Sequence, residues 1–573
     1  MATVPQGVGG EGATVPRIVL PITSRGLAVT NRLCWGALGV AMLAAAGLIL
    51  YLNRGTVFYL DEVDRFLSAP TLGPGDVLEP HAGHLTATSN VVFKAILETF
   101  GADYLAFRVL GASVVLLSAG LFYALVKRRI GALPALAPTL VLLFLGSSWD
   151  MVVIPFGFNV IFSTAAGLAA LLVLERGDRR GDLAACALLA LSVATFSVGL
   201  AFLAGVAISV LLRPDRWRRA WIFATPLVLY AAWFGWSLSS TNAADTEAKA
   251  SNVLLVPNYV ADSLAAATAA ITGLSYDFAS PLSVELGWGR PLAVGAVVAL
   301  ALRTRRGGVP ALLWVALTIA LVHWTLGALV FEVETRQAPG ETRYIYVGAI
   351  SVLLLAVGAA TPIRFSKLGL IALFGACAVS LATNLAQLRD GAGPFRTGYS
   401  IAVRAELAML ELARDHVRPG SQVDFPEFNL SVPAERYLTA VDRYGSPAFP
   451  LPELERQGEG VRQRADQSLA SLLDLRLEEA PAGRPADGCR RVRSGTPAGP
   501  IELELPPGGA TFRAAEGGPA PVTVGRFADS ASVDLGRLSP GERATLEIPP
   551  DTSARSWRAT VGGASSIQVC EPR

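Results

Sequence analysis

Charge is what this chain has least of. Only 16% of its 573 residues are Asp, Glu, Lys or Arg, against about 25% in an ordinary soluble protein. The net charge of +2 leaves no excess of positive charge of the kind that binds nucleic acid. Cysteine is sparse as well, at 5. Cys34, Cys186 and Cys377 fall within apolar runs, where a buried structural thiol is the default. That leaves Cys489 and Cys570 for any other use. What the chain has in abundance is apolar residues, 52% of the total with a mean hydropathy of +0.46. Much of this surface must face lipid.

Runs long enough for a bilayer occur at 33–52, 106–126, 132–148, 159–174, 220–239, 309–331, 345–362 and 368–388, with a shorter one at 290–302. The stretch 182–212 is too long for one crossing, and Ser197 and Gly199 in "TFSVGLAF" offer a turn. Read as two short helices, it brings the expected total to eleven. The interiors of these runs carry no acid or base apart from Arg108. Ion-coupled transporters place ionisable groups near mid-depth, so a pump or symporter is disfavoured. His323, alone within 309–331, reads as a hydrogen-bonded packing residue.

The basic residues set the expected orientation. With the N-terminus inside, the short cytoplasmic loops hold the clusters Lys127–Arg129, Arg176–Arg180, Arg213–Arg219 and Arg303–Arg306. The much longer outer loops hold only scattered Lys and Arg, as the positive-inside rule requires. The first run follows a 32-residue leader, residues 1–32, rich in Gly, Pro and Val, and lacks a small-residue cleavage site. It reads as an anchor rather than a removable signal, with the leader as a disordered cytoplasmic tail.

Two outer loops, 53–105 and 240–290, exceed the usual length of a structureless connection. The first opens with "YLDEVDRF", putting Asp61, Glu62 and Asp64 just past the first run, and continues through "EPHAGHL", with His81 and His84. "SNVVFKAILETF" and "VPNYVADSLAAATAAITGL" read as amphipathic helices suited to the membrane interface.

An acidic pair after the first span, a long first outer loop with interfacial helices and about eleven crossings resemble the GT-C membrane glycosyltransferases, such as the protein O-mannosyltransferases and the lipid A aminoarabinose transferase. "EPHAGHLTATSNVVFKAILETFG" is similar to the later part of that loop in related proteins. "PGETRYIYVGA" looks like the Arg-Tyr segment that opens a late span. The resemblance implies a polytopic α-helical membrane protein that moves a sugar from a polyprenyl-phosphate donor to a glycan, lipid or protein acceptor outside the plasma membrane.

Such a reaction needs a carboxylate to take the acceptor proton or orient the acceptor and cations to meet the departing phosphate. Asp61 is the first candidate for the carboxylate and Glu62 the second. Neighbours on a helix point about 100° apart, so both cannot serve one atom, whereas Asp64 shares the Asp61 face. Arg343 is the candidate phosphate ligand, with Tyr344 as an added donor and Arg336 as a second cation. His81 and His84 suit acceptor or phosphate contact. With the acids they are also a weak candidate for a divalent cation. A non-catalytic membrane scaffold or glycan-binding protein would share the topology, but it leaves the acids, His and Arg of the outer loops unexplained.

Beyond Leu388 the composition turns polar, with no further span. Residues 389–488 read as a small α/β unit and 489–573 as a β-sandwich or roll, from "PIELELPP", "PVTVGRF", "ATLEIPP" and "SIQVCEP". Both segments are expected outside, where an oxidising medium permits a Cys489–Cys570 disulfide.

Overall fold

The computed structural model describes residues 24–239, 249–274, 284, 286–306, 308–331, 338–361, 365–480, 489–494, 499–514 and 519–571. The protein is a mostly helical, multi-pass membrane protein with a C-terminal β-sheet region. Among the described residues, seven helices are long and apolar enough to cross a membrane, or eight when the bent pair Ala132–Leu143 and Gly146–Val153 counts as one. The expected eleven are therefore not all met.

The bundle begins with α1 (Ser24–Leu52), which starts inside the expected leader. Two helices, α2 (Asp61–Ser68) and α3 (Ala87–Phe100), cover one end of the bundle. Then follow α4 (Tyr104–Ile130), α5 (Ala132–Leu143), α6 (Trp149–Val153) and α7 (Phe158–Leu174). The run 182–212 does divide, into α8 (Arg179–Thr195) and α9 (Val198–Leu211). Gly199 makes the corner possible, because a Cβ there would lie 2.6 Å from the Ser192 carbonyl carbon. At 17 and 14 residues these helices are short for a crossing, as is α11 (Trp221–Ser237), which follows a single turn, α10 (Arg216–Arg219).

Conversely, α12 (Val256–Thr272), read from sequence as part of an outer loop, belongs to a 23-residue apolar stretch that meets the length for a span. It packs beside α13 (Gly289–Arg306), α14 (Ala311–Leu329) and α15 (Thr342–Ala360). Its one acid, Asp262, is paired with Arg290 at 3.0 Å. Ala265, Ala266, Ala267, Ala269 and Ala270 are buried.

The last bundle helix, α16 (Lys367–Pro394), passes through a π turn at Phe395–Tyr399 into α17 (Ser400–Leu412). A hairpin of β1 (Gln422–Phe425) and β2 (Leu430–Pro433) follows, then α18 (Ala434–Tyr444), α19 (Leu451–Leu454) and α20 (Glu459–Leu472). The remaining strands are β3 (Leu477–Glu479), β4 (Arg490–Arg493), β5 (Ile501–Glu504), β6 (Gly508–Ala514), β7 (Ala520–Gly525), β8 (Val533–Leu538), β9 (Arg543–Ile548), β10 (Arg558–Val561) and β11 (Ser566–Cys570). They form antiparallel sheets ordered β5-β10-β7-β8 and β3-β9-β6-β11-β4. Burial alternates along β5 and β9, as it does when one face of a strand packs on a core.

The boundary expected at 488/489 falls inside this unit. β3 lies before it yet joins the second sheet, and the Asp466 carboxylate of α20 accepts the backbone N–H groups of Arg526, Phe527 and Ala528 at 2.8, 2.8 and 3.0 Å. Cys489 and Cys570 are bonded, with their Cα atoms 4.1 Å apart.

The C-terminal region sits on the end of the bundle that carries α2 and α3. Tyr437 and Tyr444 of α18 lie against Phe66, Arg443 pairs with Glu98 at 2.7 Å, and Ala102 N–H donates to the Tyr444 carbonyl at 2.8 Å.

Candidate active site

The segment before α2 makes a tight turn in which Glu62 N–H donates to the Tyr59 carbonyl at 2.9 Å. Leu60 sits inside that turn at φ 44°, ψ −113°, a conformation that costs a non-glycine residue roughly 1–3 kcal/mol. Packing holds it there. Phe58 meets Phe66, Tyr104 and Phe107 with ring centroids 5.0, 5.1 and 5.2 Å apart, and Tyr399 of the π turn donates to the Phe58 carbonyl at 2.9 Å. Tyr59 is flanked by Phe156, Phe395 and Tyr399.

From this turn the neighbouring carboxylates diverge. Glu62 points inward and is 2% exposed. Its Oε2 accepts from the Tyr104 hydroxyl at 2.6 Å and from Tyr59 N–H at 2.9 Å. Burial pushes its pKa up to about 7, against the pull of these bonds and of Arg65. Asp61 points the other way, with a side chain 37% exposed and its Oδ2 3.4 Å from His81 Nε2. Burial pushes this carboxyl up, but the hydrogen bond and charge of His81, with Arg65 and His84 behind it, bring it net below the usual carboxylate range. Asp64 stays on the outward side. Burial raises its pKa, with His81 opposing and Asp61 adding, while Arg436 of α18 and Arg65 also favour its charged form.

The histidines stand at the ends of a two-residue turn. His81 N–H donates to the His84 carbonyl at 3.0 Å and His84 N–H to that of His81 at 2.9 Å. Ala82 and Gly83 between them have φ of 47° and 73°, the positive pair that a type I′ turn demands. His84 is turned away from Asp61: its Nδ1 meets Ser197 Oγ at 3.0 Å and its ring packs on Phe196 at 4.3 Å. Burial, helped by His81 and Arg343 and opposed by Asp61, drives its pKa down to about 4. At neutral pH this imidazole is uncharged.

Arg343 lies in the first turn of α15, its guanidinium carbon 5.2 Å from the Tyr344 ring centroid. Its charge acts on His84 and on Asp150 of α6. Tyr344 itself lines a separate small cavity with Tyr259, Ser263 and His323, among α12, α14 and α15. The structure thus brings Asp61, Asp64, His81 and His84 into one electrostatic cluster, which Arg343 joins through its action on His84 with Tyr344 beside it, and turns Glu62 inward, away from the others. Arg336 lies outside the described residues.

Asp150 is a site residue that sequence reasoning missed. Its Oδ2 accepts from the Thr342 hydroxyl at 2.6 Å, and Ser148 Oγ donates to the Thr342 carbonyl at 2.8 Å. These bonds tie the start of α15, and so the residue beside Arg343, to α6. Its only sequence signal is a single Asp between apolar runs. Among the described residues no group of three or more His, Cys, Asp or Glu is placed to hold a metal ion. Of the two histidines, His81 faces Asp61, while His84 Nδ1 is taken by Ser197 Oγ.

Next to this cluster is an apolar groove of about 510 Å³ between α8, α11 and the 78–85 segment, lined by Leu85, Val193, Tyr230, Trp233 and Trp236 among others. Trp233 Nε1 donates to the Leu78 carbonyl at 2.8 Å, tying the groove wall to the loop that carries the histidines. A charged cluster adjoining an aromatic-walled groove can bind a molecule with a polar head and a long apolar tail. No protein-family model matches this chain, and no curated protein matches it.

Proposed function

We propose that the protein is a membrane glycosyltransferase of GT-C type, which moves a sugar from a polyprenyl-phosphate donor to an acceptor hydroxyl at the α2 end of the bundle. One observation carries this reading. A partly exposed, ionised carboxylate, Asp61, stands against His81 in a cluster that includes Arg343, and an apolar groove large enough for part of a prenyl chain adjoins it.

In this reading the isoprenoid lies along the Trp233 and Trp236 wall and the donor phosphate meets Arg343, whose planar fork matches phosphate oxygens. Asp61 orients the acceptor hydroxyl and takes its proton as the oxygen attacks the anomeric carbon. The bond from that carbon to the phosphate oxygen breaks, and polyprenyl phosphate leaves with the electron pair, its charge balanced by Arg343. His81 supports Asp61 in its charged form. Glu62 has no part at the reacting atoms, because it is buried on the opposite side of the turn.

The test is to supply the purified chain, in a bilayer, with a panel of polyprenyl-phosphate sugars together with glycan, lipid and peptide acceptors that carry free hydroxyls, and to measure acceptor-dependent release of polyprenyl phosphate. The expected result is release from one sugar class, with Arg343→Ala raising KM for the donor. No release from any donor, with the folded protein verified, would leave the scaffold reading in its place.

A further inference from the structure

Behind α2, on the side away from His81, a second and smaller cavity lies between α2, α3, α4 and the start of α7. Its polar lining is Glu62, Arg65, Ser89 and Asn159, and Phe93 and Phe107 are among its apolar walls. Arg65 is 8% exposed and Ser89 is 2% exposed. Arg65 Nε donates to Asn90 Oδ1 at 3.3 Å. The Arg65 Nη2 and Ser89 Oγ atoms are fully buried and have no hydrogen-bond partner among the described residues. A buried donor left unsatisfied costs about 1–3 kcal/mol, and more when it belongs to a charged group. Both orphan atoms belong to residues that line this one cavity.

We propose that this cavity holds a bound water that joins Arg65 to Ser89 beside the Glu62 carboxyl, and that Arg65, so held, is a positioning residue for the acidic face of α2.

Size and charge select water. The cavity leaves about 20 Å³ for the centre of a water-sized sphere, and one water needs roughly 10–15 Å³ by that measure together with 2–4 polar partners. An anion is disfavoured, because Asp61, Glu62 and Asp64 already surround the single guanidinium. Water can accept from Nη2 and exchange a hydrogen bond with Ser89 Oγ, satisfying both orphans at once. Arg65 follows Glu62 by three residues and Asp61 by four, so its guanidinium, buried on the inner side, stands within electrostatic reach of both carboxylates. Its charge favours the ionised form of Asp61, Glu62 and Asp64. The other groups facing this cluster are His81 and His84 from the loop, Tyr104 of α4 toward Glu62, and Arg436 of α18 toward Asp64. Arg65 is the cation buried among the acids from behind, so loosening it moves their charge state together.

The catalytic consequence rests on the reading of Asp61 as the base, so the experiment uses readouts independent of transfer. A structure of the full chain in a bilayer, at a resolution that shows ordered waters, is expected to place one between Arg65 Nη2 and Ser89 Oγ. Resolved side chains with no such density would overturn the water site. The carboxyl infrared bands are then titrated in the wild type, Arg65→Gln, Arg65→Lys and Ser89→Ala, with Asp61→Asn identifying the Asp61 band. In Arg65→Gln the Asp61 band should titrate higher by up to about 1 pH unit, the low end of the range for loss of a nearby guanidinium, because His81 supplies the larger part of the stabilisation. Arg65→Lys should restore most of the difference, and Ser89→Ala should shift it less and in the same direction. A folded Arg65→Gln protein, or a folded Ser89→Ala protein should the first not fold, with an unmoved Asp61 band overturns the positioning role. The band positions decide this whether or not any sugar is transferred.

Discussion

The two ends of the bundle treat buried charge in opposite ways. At the end away from α2, Arg219 is closed on Asp182, with Nε–Oδ2 at 3.0 Å and a second bond from Nη2 to Oδ1, and both side chains are nearly buried. Arg128 and Arg129, both more exposed, each pair with one oxygen of Glu175 there. At the α2 end the buried charge is not closed in this way. Asp61, Glu62 and Asp64 crowd a single buried Arg65, and Asp61 remains partly open to solvent. A matched two-bond pair spends its charge on holding helices together. An unbalanced cluster keeps charge available for a ligand, and its groups acquire shifted proton affinities in consequence.

The sharpest way to probe this contrast is at Asp61. Asp61→Asn keeps size and removes basicity, so transfer should fall about 10²–10⁴-fold, the usual loss for a general base, while the melting temperature stays within a few degrees. A variant that transfers at the wild-type rate, or that unfolds instead, would erase the distinction. Asp182→Asn should do the reverse. Taking one partner from a buried pair costs about 3–5 kcal/mol, which a denaturation curve reads directly, and transfer per folded molecule should be unchanged.

A third prediction uses pH. Glu62 has a folded pKa raised from 4.5 to about 7, so its contribution to stability is complete below pH 4.5 and is lost as pH rises through 7. His84 is lowered from 6.5 to about 4, so its contribution is complete above pH 6.5 and is lost as pH falls through 4. Asp61, also lowered, acts in the same sense as His84. Between pH 4.5 and 6.5 the slopes from Glu62 and His84 oppose each other. Glu62→Gln removes the falling one, so in thermal melts across this window the variant should gain stability with rising pH more steeply than the wild type. Parallel profiles would mean that Glu62 is ionised throughout.

The smallest effect belongs to the turn that presents His81. Ala82 at φ 47° is strained by about 1–2 kcal/mol, of which glycine would return part after its own entropic cost of roughly 0.5–1 kcal/mol. Ala82→Gly should therefore raise stability by about 0.5 kcal/mol in a denaturant titration. By loosening His81, it should also lower transfer. A destabilised variant would show that the turn is not under strain.

How much of this is legible in the sequence depends on whether a residue's role is local. The long apolar runs announce helices, and the Ser197–Gly199 corner announces its own break. Crossing is harder to read. Asp262 makes α12 look like a surface segment, because nothing in the sequence says that Arg290 returns to neutralise it. In the β region, β5, β7, β9 and β11 show their alternation. β6 opens with Gly508 and Gly509, which hide it. Gly509 is required because a Cβ there would lie 1.9 Å from the Leu546 carbonyl oxygen, a contact made across strands. At the site, the acids and histidines declare themselves by clustering in one loop. The inward turn of Glu62, the burial of Arg65 and the tether from Asp150 to Thr342 depend on α3, α4 and α15, so no short stretch of sequence contains them.

The helix that leaves the bundle, Lys367–Leu412, runs 46 residues with its π turn at Phe395–Tyr399. A π turn amounts to one residue inserted into an α-helix. Seen as arithmetic on the chain, that insertion absorbs a change of length: deleting one residue there would let the turn close into ordinary α-helix with the phase beyond it kept, whereas deleting one from the regular helix before it would rotate everything beyond by about 100°. After such a rotation Tyr399 would leave the Phe58 carbonyl, and α17 would present a different face to α20. The segment "PFRTGY" should therefore tolerate loss of one residue, such as Gly398, better than the regular helix before it does.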